Sequence, residues 1–390
     1  MNSKNILVVA GEQSGDHHLS KVVSEFKKIN SSVQFWGIAG DYSLKNGVEI
    51  CFHNRELAVV GIKEVVKHFP VIYRAFNGIL KEVDQRKPSA CLLVDYPDFN
   101  LRLAKKLYQR GVPVYYYISP QVWAWRSGRV SMMKRVLRKL YVILPFEEEF
   151  FKERGMEVKY VGHPLLDEEW VHQDYDREKL KEELFLGKLN PLFPLVSLLP
   201  GSRSSEWEHM LPILLGAAGK ILEAIPNCQF SIPVASHLDF EVCQRKISEM
   251  TAEHKERFFL LKGRSIDSMR CSDLNLVASG TATLEAGVVG NPLLVTYRVS
   301  PVSASLFKLL THYRGFIALV NLVAGAEVAK EFIQDLANPE AIATESIRIL
   351  QGESHALQLK EGLKVVRDRL GDPGGSLRVA RDLDRELHQG

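Results

Sequence analysis

Short apolar runs of strand length recur along the chain, and a stretch with helical periodicity follows each of them. Most of these runs are apolar on both faces, which is typical of parallel strands that helices cover on both sides. The predicted strands of the first half are Ile6–Ala10, Gln34–Ile38, Ala90–Asp95, Val114–Ile118, Tyr141–Leu144 and Val158–Val161. Those of the second half are Leu195–Leu199, Gln229–Pro233, Phe258–Leu261, Leu274–Ala278, Leu293–Thr296 and Phe316–Val320.

Two such sets of strands predict an α/β protein built from two Rossmann-like, doubly wound domains rather than one eight-stranded barrel. The polar segment between the sets suggests a first domain at 1–165, a linker at 166–192 and a second domain at 193–360. Residues 361–390 are expected to form a helical segment that packs back on the first domain. Since ligands bind at the carboxyl ends of parallel strands, we expect the two sheets to face each other across a cleft that holds the site.

The composition agrees with this fold and excludes several classes of protein. The chain has 390 residues, of which 46% are apolar and 25% charged, and its net charge of +3 does not suggest a nucleic-acid binder. Its five cysteines form no CxxC pair, so we expect reduced core cysteines in a cytosolic protein rather than a disulfide framework or a zinc ribbon. No apolar run is long enough for a transmembrane helix, so any membrane contact is expected to be peripheral.

Charge is unevenly distributed in the first half of the chain. Residues 99–146 contain no Asp or Glu, yet they contain ten basic residues. A solvated surface usually mixes both signs, so this stretch favours an anionic partner such as a phosphate or a membrane surface. The ten residues are Arg102, Lys105, Lys106, Arg110, Arg126, Arg129, Lys134, Arg135, Arg138 and Lys139.

An amphipathic helix is predicted just upstream of this basic stretch. Its apolar stripe either faces the core, as most such stripes do, or lies in a membrane surface, which the basic residues on the opposite face would favour. The candidate membrane residues are Ile62, Val65, Val66, Phe69 and Ile72.

Two loops of the first half carry carboxylates at predicted strand ends. Asp98 follows Pro97, which we expect to end the third strand with Tyr96 extended, and it is our first candidate for a general base. Glu12 and Asp16, in the loop after the first strand, are the alternatives. Helix capping is the competing interpretation for both loops.

Two loops of the second half have the pattern expected for a nucleotide diphosphate. The first contains Gly201, Ser202 and Arg203, whose backbone amides and guanidinium suit a pyrophosphate. The second places Glu285, a candidate ligand of the ribose hydroxyls, one helical turn after a run of small and hydroxyl residues. That run consists of Ser279, Gly280, Thr281, Ala282 and Thr283.

No metal or other cofactor is expected. Of the two Asp-x-Asp pairs, Asp174/Asp176 lies in the polar linker and Asp382/Asp384 in a charged terminal helix, neither at a strand end, and no HExxH motif occurs.

Eight motifs in order resemble the lipid A disaccharide synthase family along nearly the whole chain. They are GEQSGD at 11–16, VVGIKEVV at 59–66, DYPDFN at 95–100, YYISPQVWAWR at 116–126, ILPFE at 143–147, VGHPL at 161–165, LLPGSR at 198–203 and SGTATLEA at 279–286. The chain departs from the family pattern at Gln13 and in the segment 320–334, where two prolines and an arginine are replaced at Val320, Ala326 and Lys330.

The resemblance implies an inverting glycosyltransferase of the GT-B type from a Gram-negative bacterium. Such an enzyme joins UDP-2,3-diacylglucosamine to 2,3-diacylglucosamine 1-phosphate (lipid X), forms a β-1,6 disaccharide and releases UDP. The resemblance also implies that the protein acts on the cytoplasmic face of the inner membrane and binds no nucleic acid. It leaves open whether the protein is a homodimer. Donor contacts are then also expected at Asn321, Glu331 and Gln334, and acceptor contacts at Gly11, Ser14, Gly15, Asn100, Ser119, Trp123 and Arg126.

Two alternatives remain at this stage. A UDP-sugar 2-epimerase has the same two-domain architecture but needs no lipid contact. A non-catalytic protein that binds membrane surfaces would explain the basic stretch, but it would leave the two loops of the second half without a role.

Overall fold

The computed structural model describes residues 4–57, 62–125, 127–251, 253–298 and 315–389, without the side chains of 62–69, 124, 125, 127, 205 and 389. The chain divides into two compact units. The first unit consists of two parts of the chain, one that ends at Glu168 and one that begins at Gly371. The second unit is Glu169–Leu370. Elements are numbered along the described residues.

The first unit is built on a parallel sheet in which seven strands are described, in the order β3-β2-β1-β4-β5-β6-β7. The strand order reverses between β1 and β4, so the loops that follow these two strands lie at the switch point of the sheet, where such folds bind ligands. The strands are β1 (Asn5–Ala10), β2 (Gln34–Ala39), β3 (Val48–His53), β4 (Ala90–Val94), β5 (Val114–Tyr117), β6 (Lys139–Val142) and β7 (Lys159–Tyr160).

Helices cover both faces of this sheet. The apolar residues of β1 alternate between two buried clusters, with Leu7 and Val9 on one face and Ile6 and Val8 on the other. This burial on both sides explains why the central strands β1 and β4 are almost entirely apolar. The helices are α1 (Gln13–Ile29), α2 (Asp41–Lys45), α3 (Ile62–Arg86), α4 (Pro97–Tyr108), α5 (Val122–Trp125), α6 (Val130–Val136), α7 (Pro145–Lys152) and, from the end of the chain, α17 (Gly375–Gln389).

The second unit repeats this architecture with a parallel sheet of six described strands, in the order β10-β9-β8-β11-β12-β13. Its switch point lies between β8 and β11. The strands are β8 (Leu195–Leu199), β9 (Gln229–Val234), β10 (Phe258–Lys262), β11 (Leu274–Ala278), β12 (Leu293–Tyr297) and β13 (Glu331–Ile333). The helices are α8 (Glu169–His172), α9 (Arg177–Phe185), α10 (Ser204–Ala224), α11 (Phe240–Met250), α12 (Ser265–Cys271), α13 (Thr281–Val289), α14 (Leu319–Ala324), α15 (Pro339–Gln351) and α16 (Glu353–Arg369).

The predicted fold class, with two doubly wound α/β domains, is confirmed, but the units differ from the predicted boundaries. The segment 166–192 is not a free linker, since from Glu169 onward it belongs to the second unit. Arg177 on α9 anchors it there by donating to the carbonyl of Cys271 at 2.8 Å and to Asp273 at 2.6 Å. Residues 361–369 complete α16 in the second unit, and the chain returns to the first unit only at Gly371.

A buried ion cluster holds α17 on the first unit. The carboxylate of Asp382 accepts from Lys139 at 2.9 Å, from Lys159 at 2.5 Å and from the hydroxyl of Tyr141 at 3.0 Å. Although burial alone would raise the pKa of Asp382, its hydrogen bonds to the two lysines lower it to about 2. The ionised carboxylate therefore stabilises the return of the chain to the first unit at all but strongly acidic pH.

Among the described residues, no helix combines the length and the apolar character that crossing a membrane requires.

Candidate active site

A pocket of about 410 Å³ opens at the switch point of the second sheet. The loops after β8 and β11 form two of its walls, as predicted, and bring Arg203 and Glu285 into one cavity. The predicted donor residues that line it are Gly201, Ser202, Arg203, Ser279, Gly280, Thr281, Ala282 and Glu285. Sequence reasoning missed its other walls, which come from the ends of β9 and β12, the loop after β10 and the helix α12, and which include Ala235, Gly263, Ser265, Met269 and Tyr297.

The loop after β8 binds a carboxylate of its own chain. Glu206 on α10 accepts from the amides of Ser202 at 2.9 Å and of Arg203 at 3.1 Å. Gly201 has φ 112°, and a Cβ there would lie 2.3 Å from the Glu206 carboxylate, so the turn requires glycine. These two amides, which the sequence suggested for a pyrophosphate, are therefore occupied. The Arg203 side chain is 68% exposed, lies 3.4 Å from the Glu206 carboxylate and lines the pocket together with it.

The loop after β11 leads into α13, whose N-terminus opens into the same pocket. An N-terminal helical turn offers backbone amides and a partial positive charge to an anion. Thr283 does not line this pocket, because it is fully buried and its hydroxyl donates to the carbonyl of Gly280 at 2.8 Å.

Asn321 and Glu331 make contacts that fix the backbone, which differs from the predicted contact with the donor. The Asn321 amide nitrogen donates to the Ala329 carbonyl at 2.6 Å and to Glu331 at 2.8 Å. Its oxygen accepts from the amides of Val328 and Ala329, both at 2.9 Å. Both residues therefore hold the segment between α14 and β13 in shape. Gln334 is half-buried after β13 with φ 55°.

The structure shows the contacts of two positions at which the chain departs from the family pattern. Val320 is fully buried on α14, and Lys330 pairs with Glu345 of α15 at 2.9 Å.

In the first unit, the chain makes a strained turn at the end of β4. Asp95 and Tyr96 have φ angles of 47° and 51°, which cost energy for residues other than glycine. The carbonyl of Asp95 accepts from the Asn100 amide at 2.7 Å and from the Tyr116 hydroxyl at 2.6 Å, and these bonds hold the turn. The prediction of an extended Tyr96 is wrong, because β4 ends at Val94 and Pro97 is the first residue of α4.

Asp95 is the carboxylate that this turn places at the switch point. Burial and, to a smaller extent, the negative charge of Glu12 in the loop after β1 together raise its pKa to about 6. A partly dry carboxylate that titrates near neutral pH is suited to general-base catalysis. Sequence reasoning missed Asp95 because it assigned this residue to the strand Ala90–Asp95 and chose Asp98, after Pro97, as the base.

The predicted catalytic residues have different surroundings. The side chain of Asp98 is 66% exposed and pairs with Arg129 at 2.7 Å, so it is not in the dry environment that the prediction required. Asp16 is 1% exposed and caps α2 by accepting from the amides of Gly40 at 2.8 Å and Tyr42 at 3.0 Å. Its oxygens are thereby committed to the fold. Glu12 is exposed at the start of α1 and remains a candidate.

Several predicted acceptor residues support the loops instead. Gly11 packs against Tyr96, whose ring lies 2.2 Å from where a Cβ would be, and Asn100 is fully buried under the strained turn. Ser119 is buried and donates to Glu147 at 2.5 Å, and Trp123 packs edge-on against Phe146 with ring centres 5.1 Å apart. Gly15 is buried, Ser14 is exposed at the switch point, and Arg126 lies outside the described residues.

Glu147 links two of the sequence motifs and was missed. Burial raises its pKa to about 7, although hydrogen bonds from Ser119 and from the Leu144 and Ile143 amides partly oppose the shift. This buried carboxylate holds the loop after β5 against the start of α7.

The basic stretch is partly neutralised by acids from outside it. Arg110 pairs with Asp84, and Arg138 and Lys139 pair with Glu386 of α17. The ten basic residues therefore do not form a surface without acidic partners. For the described part of the chain, no ion pair is found for Arg102, Lys105, Lys106, Lys134 and Arg135.

Part of the predicted membrane stripe faces the core. Ile72 is half-buried and packs against the main hydrophobic cluster of the first unit, together with Phe76. The side chains of Ile62, Val65, Val66 and Phe69 lie outside the described residues.

One aspartate of each Asp-x-Asp pair binds other groups of the chain. Asp176 caps α9 by accepting from the amides of Glu178 and Lys179, and Asp382 binds lysines. In the described ranges, no group of three or more His, Cys, Asp or Glu side chains is arranged to hold a metal ion.

The chain matches the family model described as lipid-A-disaccharide synthetase over residues 6–372. It is 40% identical over 380 residues to the lipid-A-disaccharide synthase of Syntrophus aciditrophicus (strain SB), covering 97% of both chains. Among solved structures, it is similar to UDP-GlcNAc 2-epimerase from Neisseria meningitidis bound to UDP-GlcNAc, with a TM-score of 0.67, 12% identity and coverage of 98% of this chain and 100% of the other. It is also similar to a glycosyltransferase from Rickettsia africae ESF-5, with a TM-score of 0.61, 14% identity and full coverage of both chains. At these identities the two structures show a shared fold.

Proposed function

The chain belongs to the lipid-A-disaccharide synthetase family, and we infer from this that it is a UDP-sugar glycosyltransferase that forms the lipid A disaccharide. The donor is UDP-2,3-diacylglucosamine and the acceptor is 2,3-diacylglucosamine 1-phosphate. The acceptor's 6-hydroxyl attacks the anomeric carbon in a single displacement that inverts its configuration, and UDP leaves. The family match over residues 6–372 is the observation that carries this proposal.

The pocket of the second unit is the proposed donor site. Arg203 binds the diphosphate and stabilises the charge that develops on the leaving UDP. The N-terminus of α13 faces the same anion, and Glu285 accepts hydrogen bonds from the ribose hydroxyls. Gly263, Ser265 and Met269 form the wall available to the uracil.

The switch point of the first unit is the proposed acceptor site. Asp95 takes the proton from the attacking hydroxyl, and Glu12 is the second candidate for this role. The raised pKa of Asp95 supports the assignment, because a base is most effective when its pKa lies near the working pH.

A UDP-sugar 2-epimerase is the runner-up within the same fold, and epimerases are among the structural neighbours. Those neighbours are too distant in sequence to carry an activity, whereas the family match spans both units.

The experiment that tests the function measures UDP release by the purified chain in mixed detergent micelles. We expect release from UDP-2,3-diacylglucosamine only when the acceptor is present, with a disaccharide 1-phosphate as the second product. Release of UDP without acceptor, or formation of a 2-epimer, would contradict the proposal.

We also expect activity to survive an excess of EDTA. The positive charge that offsets the leaving diphosphate comes from Arg203 and from the helix N-terminus, which are part of the chain itself. A loss of activity in EDTA that added Mg²⁺ restores would show that an ion shares this role.

Peripheral binding to the cytoplasmic face of the inner membrane is proposed for the first two turns of α3. In a co-sedimentation experiment, we expect the wild type to pellet with anionic vesicles. A variant with Ile62, Val65 and Phe69 replaced by Ser should stay in the supernatant and keep the melting temperature of the wild type. Leu357→Ser is the matched control, since it removes an apolar side chain that is exposed on α16. Unchanged co-sedimentation of the triple variant would show that the stripe faces the core over its whole length, as Ile72 does.

A further inference from the structure

A second, smaller pocket lies on the first unit beside the start of α4. Its volume is about 250 Å³, and it is formed by one face of α4 and the residues around the start of α6. Its lining is Pro97, Asp98, Leu101, Arg102, Lys105, Gly128, Arg129 and Met132. Arg102, Lys105 and Arg129 supply cations, and Leu101 and Met132 supply an apolar wall. We propose that this pocket binds a phosphate monoester, namely the phosphate of the lipid acceptor; this rests on the proposed function.

The three cations are arranged by the local fold. Arg102 and Lys105 are three residues apart on α4, so they lie on the same face of the helix. Arg129 precedes α6 and is oriented by Asp98, which accepts from its guanidinium at 2.7 Å. Asp98 is thus a positioning residue for Arg129. In the described part of the chain, no acidic side chain pairs with Arg102 or Lys105, so their charges are available to a ligand.

The charge of the pocket selects the type of anion. Three cations and one carboxylate leave two positive charges. A phosphate monoester carries about −1.5 to −2 at neutral pH, so it matches this charge. The diester of a phospholipid such as phosphatidylglycerol carries only one negative charge, which leaves the pocket unbalanced.

The position of the pocket relates it to the proposed chemistry. The helix α4 that carries Arg102 and Lys105 begins at Pro97, two residues after Asp95. Within the first unit, one short segment therefore supplies both the candidate base and the anion site. The acceptor also carries both a hydroxyl that must lose a proton and a phosphate monoester.

Adjacent lysines on α4 provide a matched test. Both side chains are exposed, but only Lys105 lines the pocket. Since a charged hydrogen bond is lost, Lys105→Ala should raise the acceptor KM on the order of tenfold with kcat and donor KM unchanged. Lys106→Ala removes the same charge and should change the acceptor KM less than about twofold on the same basis. Arg129→Ala should also raise the acceptor KM and leave kcat unchanged, because it removes another cation from the pocket lining.

Further experiments distinguish the phosphate of the acceptor from the phosphate of a lipid headgroup. Inorganic phosphate should compete with the acceptor in the wild type and compete less well in Lys105→Ala. With an acceptor whose phosphate is replaced by a methyl glycoside, the wild type and Lys105→Ala should have the same KM. Binding to phosphatidylglycerol vesicles without acceptor should be the same for Lys105→Ala and Lys106→Ala.

The proposal is overturned if Lys105→Ala and Lys106→Ala have equal acceptor KM values in detergent micelles. It is also overturned if Lys105→Ala alone loses vesicle binding while its acceptor KM is unchanged, since the occupant would then be a bilayer headgroup. Both outcomes presuppose an active wild type. An inactive wild type would instead contradict the proposed function itself.

Discussion

Replacing Asp95 by Asn should lower kcat by about 10²–10⁴-fold while UDP binds as before. The substitution keeps the shape of the side chain and removes its ability to take a proton. The backbone bonds of the turn are unaffected, because Asn100 and Tyr116 bind the carbonyl of residue 95 and not its side chain. Single-turnover rates with saturating donor and acceptor, together with calorimetry of UDP, are the measurements.

The stability of Asp95→Asn shows whether a loss of activity comes from the missing general base or from an unfolded protein. Since burial raises the pKa of Asp95 to about 6, the folded protein binds this proton more tightly than the unfolded chain does. The contribution of Asp95 to stability therefore falls as pH rises from about 4 to about 6, and Asn mimics the protonated form at all pH values. We expect the melting temperature of Asp95→Asn at pH 7.5 to equal or exceed that of the wild type.

The pH profile gives an independent check. A base must be deprotonated, so kcat/KM of the wild type should rise with pH through about 6 and then level off. If Asp95→Asn retains more than about a tenth of kcat, the base lies elsewhere, and Glu12→Gln is the next variant to test.

Most of the fold could be predicted because the central strands are buried on both faces. The strands that were missed lie at sheet edges. β3 contains Glu49 and His53 and is mostly half-buried, and β13 has only three residues. The strand predicted at Phe316–Val320 is wrong, since Leu319 begins the helix α14, and this short apolar run fits either element.

The positions of the site loops could be predicted for a related reason. Neighbouring parallel strands end at the same edge, so the loops after β8 and β11 had to meet once these strands paired. The hydrogen bonds of single side chains could not be predicted. Glu206 turns back onto its own loop, Asn321 holds a remote backbone segment, and Asp98 pairs with Arg129, and each of these contacts depends on atomic distances that a sequence pattern does not contain.

The occupied amides of the loop after β8 make Arg203 more important for the donor than the sequence alone suggested. Glu206 accepts from the amides of residues 202 and 203, so these two groups do not face an incoming diphosphate in this structure. The positive charge at the pocket then comes from the Arg203 guanidinium and the N-terminus of α13. Of the two, only the guanidinium can be removed by changing one side chain.

Arg203→Ala should therefore weaken UDP binding by about ten- to a hundredfold, the equivalent of one charged hydrogen bond of about 1.5–3 kcal/mol. Calorimetry with UDP and with uridine distinguishes the loss of a diphosphate contact from a disturbed pocket. Because uridine has no phosphate, its affinity should not change. Arg203→Lys keeps the charge but loses the paired donors of the guanidinium, so its affinity for UDP should lie between those of the wild type and Arg203→Ala. Arg264→Ala is the control, because Arg264 belongs to the same unit but does not line the pocket. Its guanidinium pairs with Asp267 at 2.5 Å, so its removal should leave the UDP affinity unchanged. Equal UDP affinities for Arg203→Ala and the wild type would place the diphosphate away from Arg203, whereas an equal loss for uridine would mean that the substitution has disturbed the pocket itself.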